Sequence, residues 1–236
     1  MTISKLKLYT THEHPCSYLP GRLATTVFID PDADVNRSVY SELSDFGFRR
    51  SGQHIYKPHC QSCQACIAVR LPVATFRWRR TYRRTLQRNS DLQMRAVNSI
   101  DSDEHYRLYE RYIEQRHSDG DMYPPSRDQF QEFLSAQWQS TQYLEFRVEA
   151  TGQLLGVAVT DQLDQGLSAI YTFFEPDTAA RSLGTYAILQ QLLLAERNGL
   201  PYVYLGYWIK DCAKMRYKHA FRPLELYINH HWLTFD

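Results

Sequence analysis

The stretch "QYLEFRVEATGQLLGVAVTDQLDQGLSAIYTFFEP", Gln142 to Pro176, is three apolar and aromatic runs separated by turn residues, first at Thr151-Gly152 and again at Gly166. Runs of strand length broken by glycine turns are read as three successive antiparallel strands, "QYLEFRVEA", "QLLGVAVTD" and "LSAIYTFFEP". A helix is predicted to follow from Thr178 to Asn198, with apolar residues at 183, 186, 187, 189, 193 and 194 and a stop at Gly199 and Pro201. "YVYLGYW" then reads as a buried strand, Asp211 to Lys218 as a short helix, and "PLELYINH" as a last strand.

The resulting order β-β-β-α-β-α-β predicts an α+β fold, an acetyltransferase-like (GNAT) mixed sheet flanked by helices. In such a fold the loop after the third strand feeds a helix N-terminus, whose free N–H groups attract anions. Here the loop is "EPDTAARSLGTY", close to the coenzyme A pyrophosphate signature [RQ]-x-x-G-x-[GA]. Arg181 and Gly184 match it, but Tyr186 stands where a small residue is required and would crowd coenzyme A.

Upstream, "NRSVYSELSDFGF" reads as a helix with Asn36 as N-cap and Gly47 as its stop. A hairpin about Ser51-Gly52 and an extended "IAVRLPV" follow. Tyr106, Leu108, Tyr109, Tyr112 and Ile113 recur near helical spacing between Ser102 and His117, and Ser126 with Gln129 forms a capping pair for a helix running toward Trp138. Composition shifts after Asn89, so residues 1–90 are expected to form a cysteine- and arginine-rich region and 91–236 the catalytic sheet.

With 236 residues, 43% of them hydrophobic, the chain can bury a substantial core. Its formal net charge of +1 gives no global attraction to polyanions, so a nucleic-acid contact has to be local. The first twenty or so residues lack a signal-peptide core and no run approaches the roughly 18 apolar residues of a membrane span, so a cytoplasmic location is expected.

Local concentration is what Cys60 to Asn89 supplies. Arg77, Arg79, Arg80, Arg83, Arg84 and Arg88 are interleaved with Phe76, Trp78 and Tyr82, without an acid among them. Guanidinium groups fork onto phosphates and aromatic faces stack on bases, which points to structured RNA. Immediately before stand Cys60, Cys63 and Cys66, spaced C-x-x-C-x-x-C as thiolates that wrap zinc or an iron-sulfur cluster are spaced. The place of a local fourth ligand is taken by Arg70, which leaves Cys16 as the distant candidate; a structural or redox role for the thiols is the alternative. Cys212 is read as a packed residue.

Taken together, "CSYLPGRLATTVF", "KPHCQSCQACIAVRLPVATFRWRRTYRRTLQRN", "FFEPDTAARSLGTYAILQQ" and "GLPYVYLGYWIKDCAKMRYKHAFRPLEL" resemble the arginyl-tRNA-protein transferase family, and most closely its aspartate/glutamate leucyltransferases. The resemblance covers nearly the whole chain. It implies an acetyltransferase-like fold, often duplicated, and transfer of leucine from leucyl-tRNA to the α-amine of proteins with N-terminal Asp or Glu, which marks them for proteolysis. It also implies a cysteine region linked, in eukaryotic relatives, to iron-sulfur or other metal binding; the arrangement here departs from theirs.

Amine attack on an aminoacyl ester relies on positioning and oxyanion stabilisation and requires no cofactor. "YLGYWIKDCAKMRYK" is therefore read as a wall of the site, with Tyr204, Tyr207, Lys214, Tyr217 and Lys218 as donors. Arg22, Arg181, Lys214 and Lys218 are candidates to meet the acceptor's carboxylate, Arg181 also to contact tRNA, and Asp211 or Glu175 to take the amine proton. Three rival readings remain: arginine as the donated residue, a coenzyme-A-dependent N-acetyltransferase, and a non-catalytic metal-containing RNA-binding module.

Overall fold

The computed structural model describes residues 5–135 and 140–236. Along the chain, β1 (Leu8–Thr10), β2 (His14–Pro15), β3 (Leu23–Ala24) and β4 (Thr26–Ile29) precede α1 (Arg37–Asp45). Next come β5 (Arg49–Ser51), β6 (His54–Pro58), β7 (Ile67–Pro72), α2 (Arg80–Arg88), β8 (Leu92–Val97), α3 (Asp103–Arg116) and α4 (Arg127–Phe130). The remainder holds β9 (Thr141–Val148), β10 (Leu154–Leu163), β11 (Gly166–Phe174), α5 (Leu183–Arg197), β12 (Tyr202–Trp208), α6 (Ala213–Arg216), β13 (Leu224–Ile228) and β14 (His231–Phe235).

The three runs of Gln142 to Pro176 become the antiparallel meander β9-β10-β11, and α5 carries the chain over to β12, which pairs parallel with β11. The whole is an eight-stranded mixed sheet in the order β14-β13-β7-β12-β11-β10-β9-β8, flanked by helices. β12 and β13, neighbours in the predicted order, are separated by β7, which runs antiparallel to both. β7 suits an interior position because Ala68, Val69 and Leu71 are all buried. Its one charge, Arg70, is held between the rings of Tyr202 and Trp232, 3.5 and 4.2 Å from their centroids. The same guanidinium bonds Glu225 at 2.7 Å and Asp45 at 3.0 Å, which ties β7 to β13 and to α1.

Local signals account for most helix ends. Asn36 and Ser102 accept the N–H groups of Val39 and His105 as N-caps, and Gly47 follows α1 with φ +82°. Ser126 caps α4 through Gln129, but α4 ends at Phe130 and continues as a wider turn over Gln131–Ser135; the predicted end at Trp138 lies outside the described residues. α5 starts later than predicted, at Leu183: Pro176–Arg181 forms a 3-10 turn broken at Thr178, and Ser182 sits at φ 55°. The predicted short helix splits into α6 and a 3-10 turn at Tyr217–Ala220.

A smaller antiparallel sheet, β1-β4-β6-β5, packs with α1 against one face of the large sheet around Ile29, Leu43, Leu163 and Tyr204. It is clamped there by Arg50, which grips the fully buried Asp161 of β10 through Nε at 2.7 Å and Nη2 at 2.8 Å. Tyr40 and Thr141 also donate to that carboxylate. Next to it, α3 covers β10 and β11, while α5 and α2 cover the opposite face. The amino-terminal region therefore contributes β7 and α2 directly to the large sheet.

Candidate active site

β11 and β12 pair only at Gly166↔Tyr202, Leu167↔Val203 and Ser168↔Tyr204; beyond these their residues are not paired with each other. Two irregularities mark the parting point. β11 bulges between its contacts to Val159 and Thr160, and β12 shifts register on β7 between Tyr204 and Gly206. Bulges re-aim side chains and end pairing, and so open a gap between the carboxyl ends of parallel strands. Into the parting point reaches Arg49 of β5, 6% exposed, which donates to Ser168 Oγ at 2.9 Å and to the Ala169 carbonyl at 2.7 Å. Gly206 permits this approach: its φ is +77°, and a Cβ there would lie 3.3 Å from Arg49 Nε. Gly206→Ala should cost about 1–2 kcal/mol in urea unfolding; unchanged stability would show that this close contact imposes nothing.

The inner part of the gap is built by the segment after β12. Lys218 is 5% exposed, and its Nζ donates to the Tyr207 carbonyl at 2.6 Å. Met215 Sδ lies 3.3 Å from the same amine. No carboxylate offsets its charge among the interactions described. Burial first, and then the Arg49 guanidinium, push Lys218 down to about 7, against the opposing pull of Cys212 and Cys66. The Tyr207 hydroxyl is committed to the Gly47 carbonyl at 2.8 Å. Tyr204 likewise donates to Asp45 and accepts from Arg70 at 3.2 Å.

The outer part lies between α3 and α6. Tyr112 stands edge-on to Tyr171 of β11, ring centroids 6.3 Å apart, and its hydroxyl is 3.2 Å from His117 Nε2. Lys214 of α6 meets Asp119, on the loop after α3, at 2.6 Å. Burial and then the Lys214 ammonium hold His117 below the usual imidazole range, although Asp119 pulls the other way. The Tyr171 hydroxyl is buried without a hydrogen-bond partner, as is Trp208 Nε1 at the end of β12. Such orphaned donors are uncommon away from functional sites. Tyr217, 48% exposed, lies close enough for its phenol to help push the Tyr112 hydroxyl up, after burial.

The arginine stretch folds as α2, not as an extended ribbon. Tyr82 and Thr85 face inward, while Arg80, Arg83, Arg84 and Arg88 are exposed, at the i, i+3, i+4, i+8 spacing of one helical face. Tyr82 stacks between Phe76 and Phe221 at 5.6 and 5.4 Å, and its hydroxyl donates to the Ala220 carbonyl. Phe76 and Tyr82 are thus core residues, closed to bases: the amphipathic helix buries Tyr82 on its apolar face, and Phe76 packs on it from the segment before α2. They fasten α2 to the very segment that carries Lys218. Arg79 is exposed, Arg77 pairs with Asp236 at 2.8 Å, and Arg222 lies near both, its guanidinium pushed down by burial and then by Arg79.

The other sequence candidates fall elsewhere. Arg181 is held by Asp91 through both terminal nitrogens at 2.8 Å. Tyr186 points into the core against Phe146, away from the loop it was expected to crowd. Glu175 is paired with Arg111 at 2.7 Å, and Asp211 is exposed. Arg22 is exposed on the turn between β2 and β3, where its carbonyl accepts the Cys16 N–H.

Cys66 leads into β7 and is pushed up to about 12 by burial, then by the thiols of Cys16, Cys60, Cys63 and Cys212. The Cys60 thiol lies 3.8 Å from the Thr25 carbonyl. All five cysteines are half-buried and reduced. Among the described residues, no three Cys, His, Asp or Glu side chains are arranged to hold a metal ion. Sequence reading missed Cys212 as a member of this group, together with Arg49, Tyr112, Tyr171 and His117. Only the strand partings and the end of α3 bring these residues together, and no local spacing announces them.

No helix among the described residues is long and apolar enough to cross a membrane. The family model described as arginine-tRNA-protein transferase, N terminus, matches residues 14–84, and that of the C terminus matches 104–228. The chain is 57% identical over 233 residues to an aspartate/glutamate leucyltransferase of Saccharophagus degradans, covering 99% of this chain and 98% of that one. It is 55% identical over 234 residues to one of Pseudomonas fluorescens, covering 99% of each. Among solved structures, L-PGS from Bacillus licheniformis superposes with a TM-score of 0.44 at 10% identity, over 72% of this chain and 50% of that one. With both family halves matched in order and identity above one half over nearly its full length, the chain belongs to the arginine-tRNA-protein transferase family, alongside the aspartate/glutamate leucyltransferases.

Proposed function

We propose that the chain transfers leucine from leucyl-tRNA to the α-amine of proteins beginning with Asp or Glu, and so marks them for N-degron proteolysis in the cytoplasm. The sheet acts as an acetyltransferase-like (GNAT) platform, with residues 1–90 supplying tRNA contacts and, through Arg49 of β5, one part of a catalytic gap otherwise built by 91–236. One observation carries this reading: the exposed arginine face of α2 is stacked, through Tyr82 and Phe221, on the segment that places Lys218 beside the parted strands. A phosphate backbone lying on α2 would bring its esterified end to that gap.

The aminoacyl ester is already activated, so no cofactor is required. The amine attacks the ester carbonyl, a tetrahedral oxyanion forms, and the ribose hydroxyl departs. A buried donor without a partner beside the parted strands, Tyr171 Oη, suits that developing charge. Lys214 suits the acceptor's carboxylate, since it already holds one. Leucine rather than arginine as donor is supported by the pairing of Glu175 with Arg111, which leaves that carboxylate engaged and gives an arginyl side chain no unpaired anion from it.

The test offers labelled leucyl-tRNA and arginyl-tRNA, separately, to peptides beginning with Asp, Glu or Ala. Label is expected on the Asp and Glu peptides from leucyl-tRNA alone. Equal transfer from arginyl-tRNA would overturn the donor assignment, and transfer from neither would overturn the function.

A further inference from the structure

We infer that His117 is the general base of the transfer, held in position by the Tyr112 hydroxyl. This rests on the leucine-transfer reading above. An N-terminal α-amine is mostly protonated at neutral pH, with an ordinary pKa of roughly 7.7–8.0, and only its free form attacks an ester. A second proton must leave the nitrogen as the amide forms. The site therefore needs a base, and the carboxylates first considered do not offer one: Glu175 is engaged by Arg111, and Asp211 is exposed.

His117 is placed where a base is needed. It ends α3, beside Tyr112, whose ring rests on Tyr171 where β11 has parted from β12. Two residues further on, Asp119 bonds Lys214 across the mouth of the gap, and this pair is solvent-accessible, 45% exposed on the lysine and 73% on the aspartate. An incoming Asp or Glu side chain presents the same carboxylate to Lys214. Exchanged for Asp119, it would bring its own α-amine beside the imidazole.

The charges around the ring favour the neutral form. Arg116 on its own helix and Lys214 on α6 both disfavour a proton, and burial adds to them; Asp119 alone opposes. Tyr112 is itself pushed up to about 12, by burial first and by the Tyr217 phenol, so it stays a neutral hydroxyl whose oxygen can accept the Nε2 proton. That bond holds the tautomer with the proton on Nε2 and leaves the Nδ1 lone pair free to take a proton.

In the step proposed, the acceptor ammonium first loses one proton to solvent. As the N–C bond forms, the imidazole takes the second proton from nitrogen. As the C–O bond to ribose breaks, the imidazolium returns that proton to the departing oxygen. The products are the leucyl amide and the tRNA with its free hydroxyl, and His117 ends neutral.

The experiment follows single-turnover transfer from leucyl-tRNA to an Asp-initiated peptide between pH ~5.5 and ~8.5 for wild type, His117→Gln and Tyr112→Phe. In the wild type, log kcat/KM should rise at acid pH with a slope approaching about two, since amine and imidazole must both lose a proton. His117→Gln should slow transfer roughly 100-fold or more and leave a slope of about one, the amine alone. Tyr112→Phe should keep the steeper slope and move the acid limb to lower pH, because the imidazolium loses the oxygen that accepts its Nε2 proton. A glutamine variant within about threefold of wild type, with the same slope, overturns the inference. If that variant does not fold, the position of the acid limb in Tyr112→Phe decides, and an unmoved limb overturns it. Absence of transfer by the wild type would instead defeat the leucine-transfer reading.

Discussion

Replacing Arg80, Arg83 and Arg84 together with alanine should weaken tRNA binding on the order of 100-fold at low salt and flatten its salt dependence. These three side chains share one exposed face of α2, and none of them is assigned an acidic partner among the described interactions. Each phosphate neutralised releases a counterion, so losing three contacts should reduce the slope of log K against log salt by about two to three. The fold should not suffer, because α2 is anchored by Tyr82 and Thr85 on its other face, and alanine is the better helix former. Affinity should converge with wild type as salt rises. A triple variant that binds tRNA with the original slope in a filter assay would remove α2 from the interface.

Lys218→Met is expected to make the protein more stable at pH 6 and far less active. The sign follows from the two states of the amine. In the folded chain its pKa is pushed down to about 7, whereas an exposed lysine titrates near 10.4. Below the lower value both states are protonated, and the folded one bears the full cost of a buried ammonium. Between the two values the folded state has released its proton while the unfolded state keeps it, so this group makes wild-type stability rise with pH. The difference corresponds to roughly 5 kcal/mol at most, from which about 1 kcal/mol is subtracted for the bond to the Tyr207 carbonyl that methionine cannot make. A net gain of up to about 3–4 kcal/mol at pH 6, vanishing by pH 10, should appear in thermal melts. Parallel melting curves for both proteins across that range would show that the amine is solvated after all. Stability gained with activity lost is the signature of a group retained for function.

How much of this could be read from residues alone depended on whether the signal was local. The meander was legible because alternation and two turns are short-range, and α1 and α3 because their caps lie within three residues of the bonds they make. The place of β7 was not, since insertion between β12 and β13 is set by Arg70 meeting Tyr202, Trp232 and Glu225, residues far away along the chain. α2 shows a different failure. Its arginines were noticed as charge, but their i, i+3, i+4 spacing already said helix, and that spacing also explains why Tyr82 is buried. The site was legible in part. "YLGYWIKDCAKMRYK" does border the gap, yet Tyr204 and Tyr207 spend their hydroxyls on Asp45 and Gly47. Residues from β5, α3 and β11 complete it, and no motif joins them in sequence.

The reading stands or falls on where the aminoacyl ester sits. A crystal structure with a non-hydrolysable leucyl-adenosine analogue, the ester oxygen replaced by nitrogen, measures this directly. The leucyl carbonyl should lie between β11 and β12 beyond Ser168 and Tyr204, within reach of Tyr171 and with the ribose toward the segment that follows α6. Density for the analogue in the groove bordered by Asp30, Val35 and Gln53, on the far side of the small sheet, would contradict it.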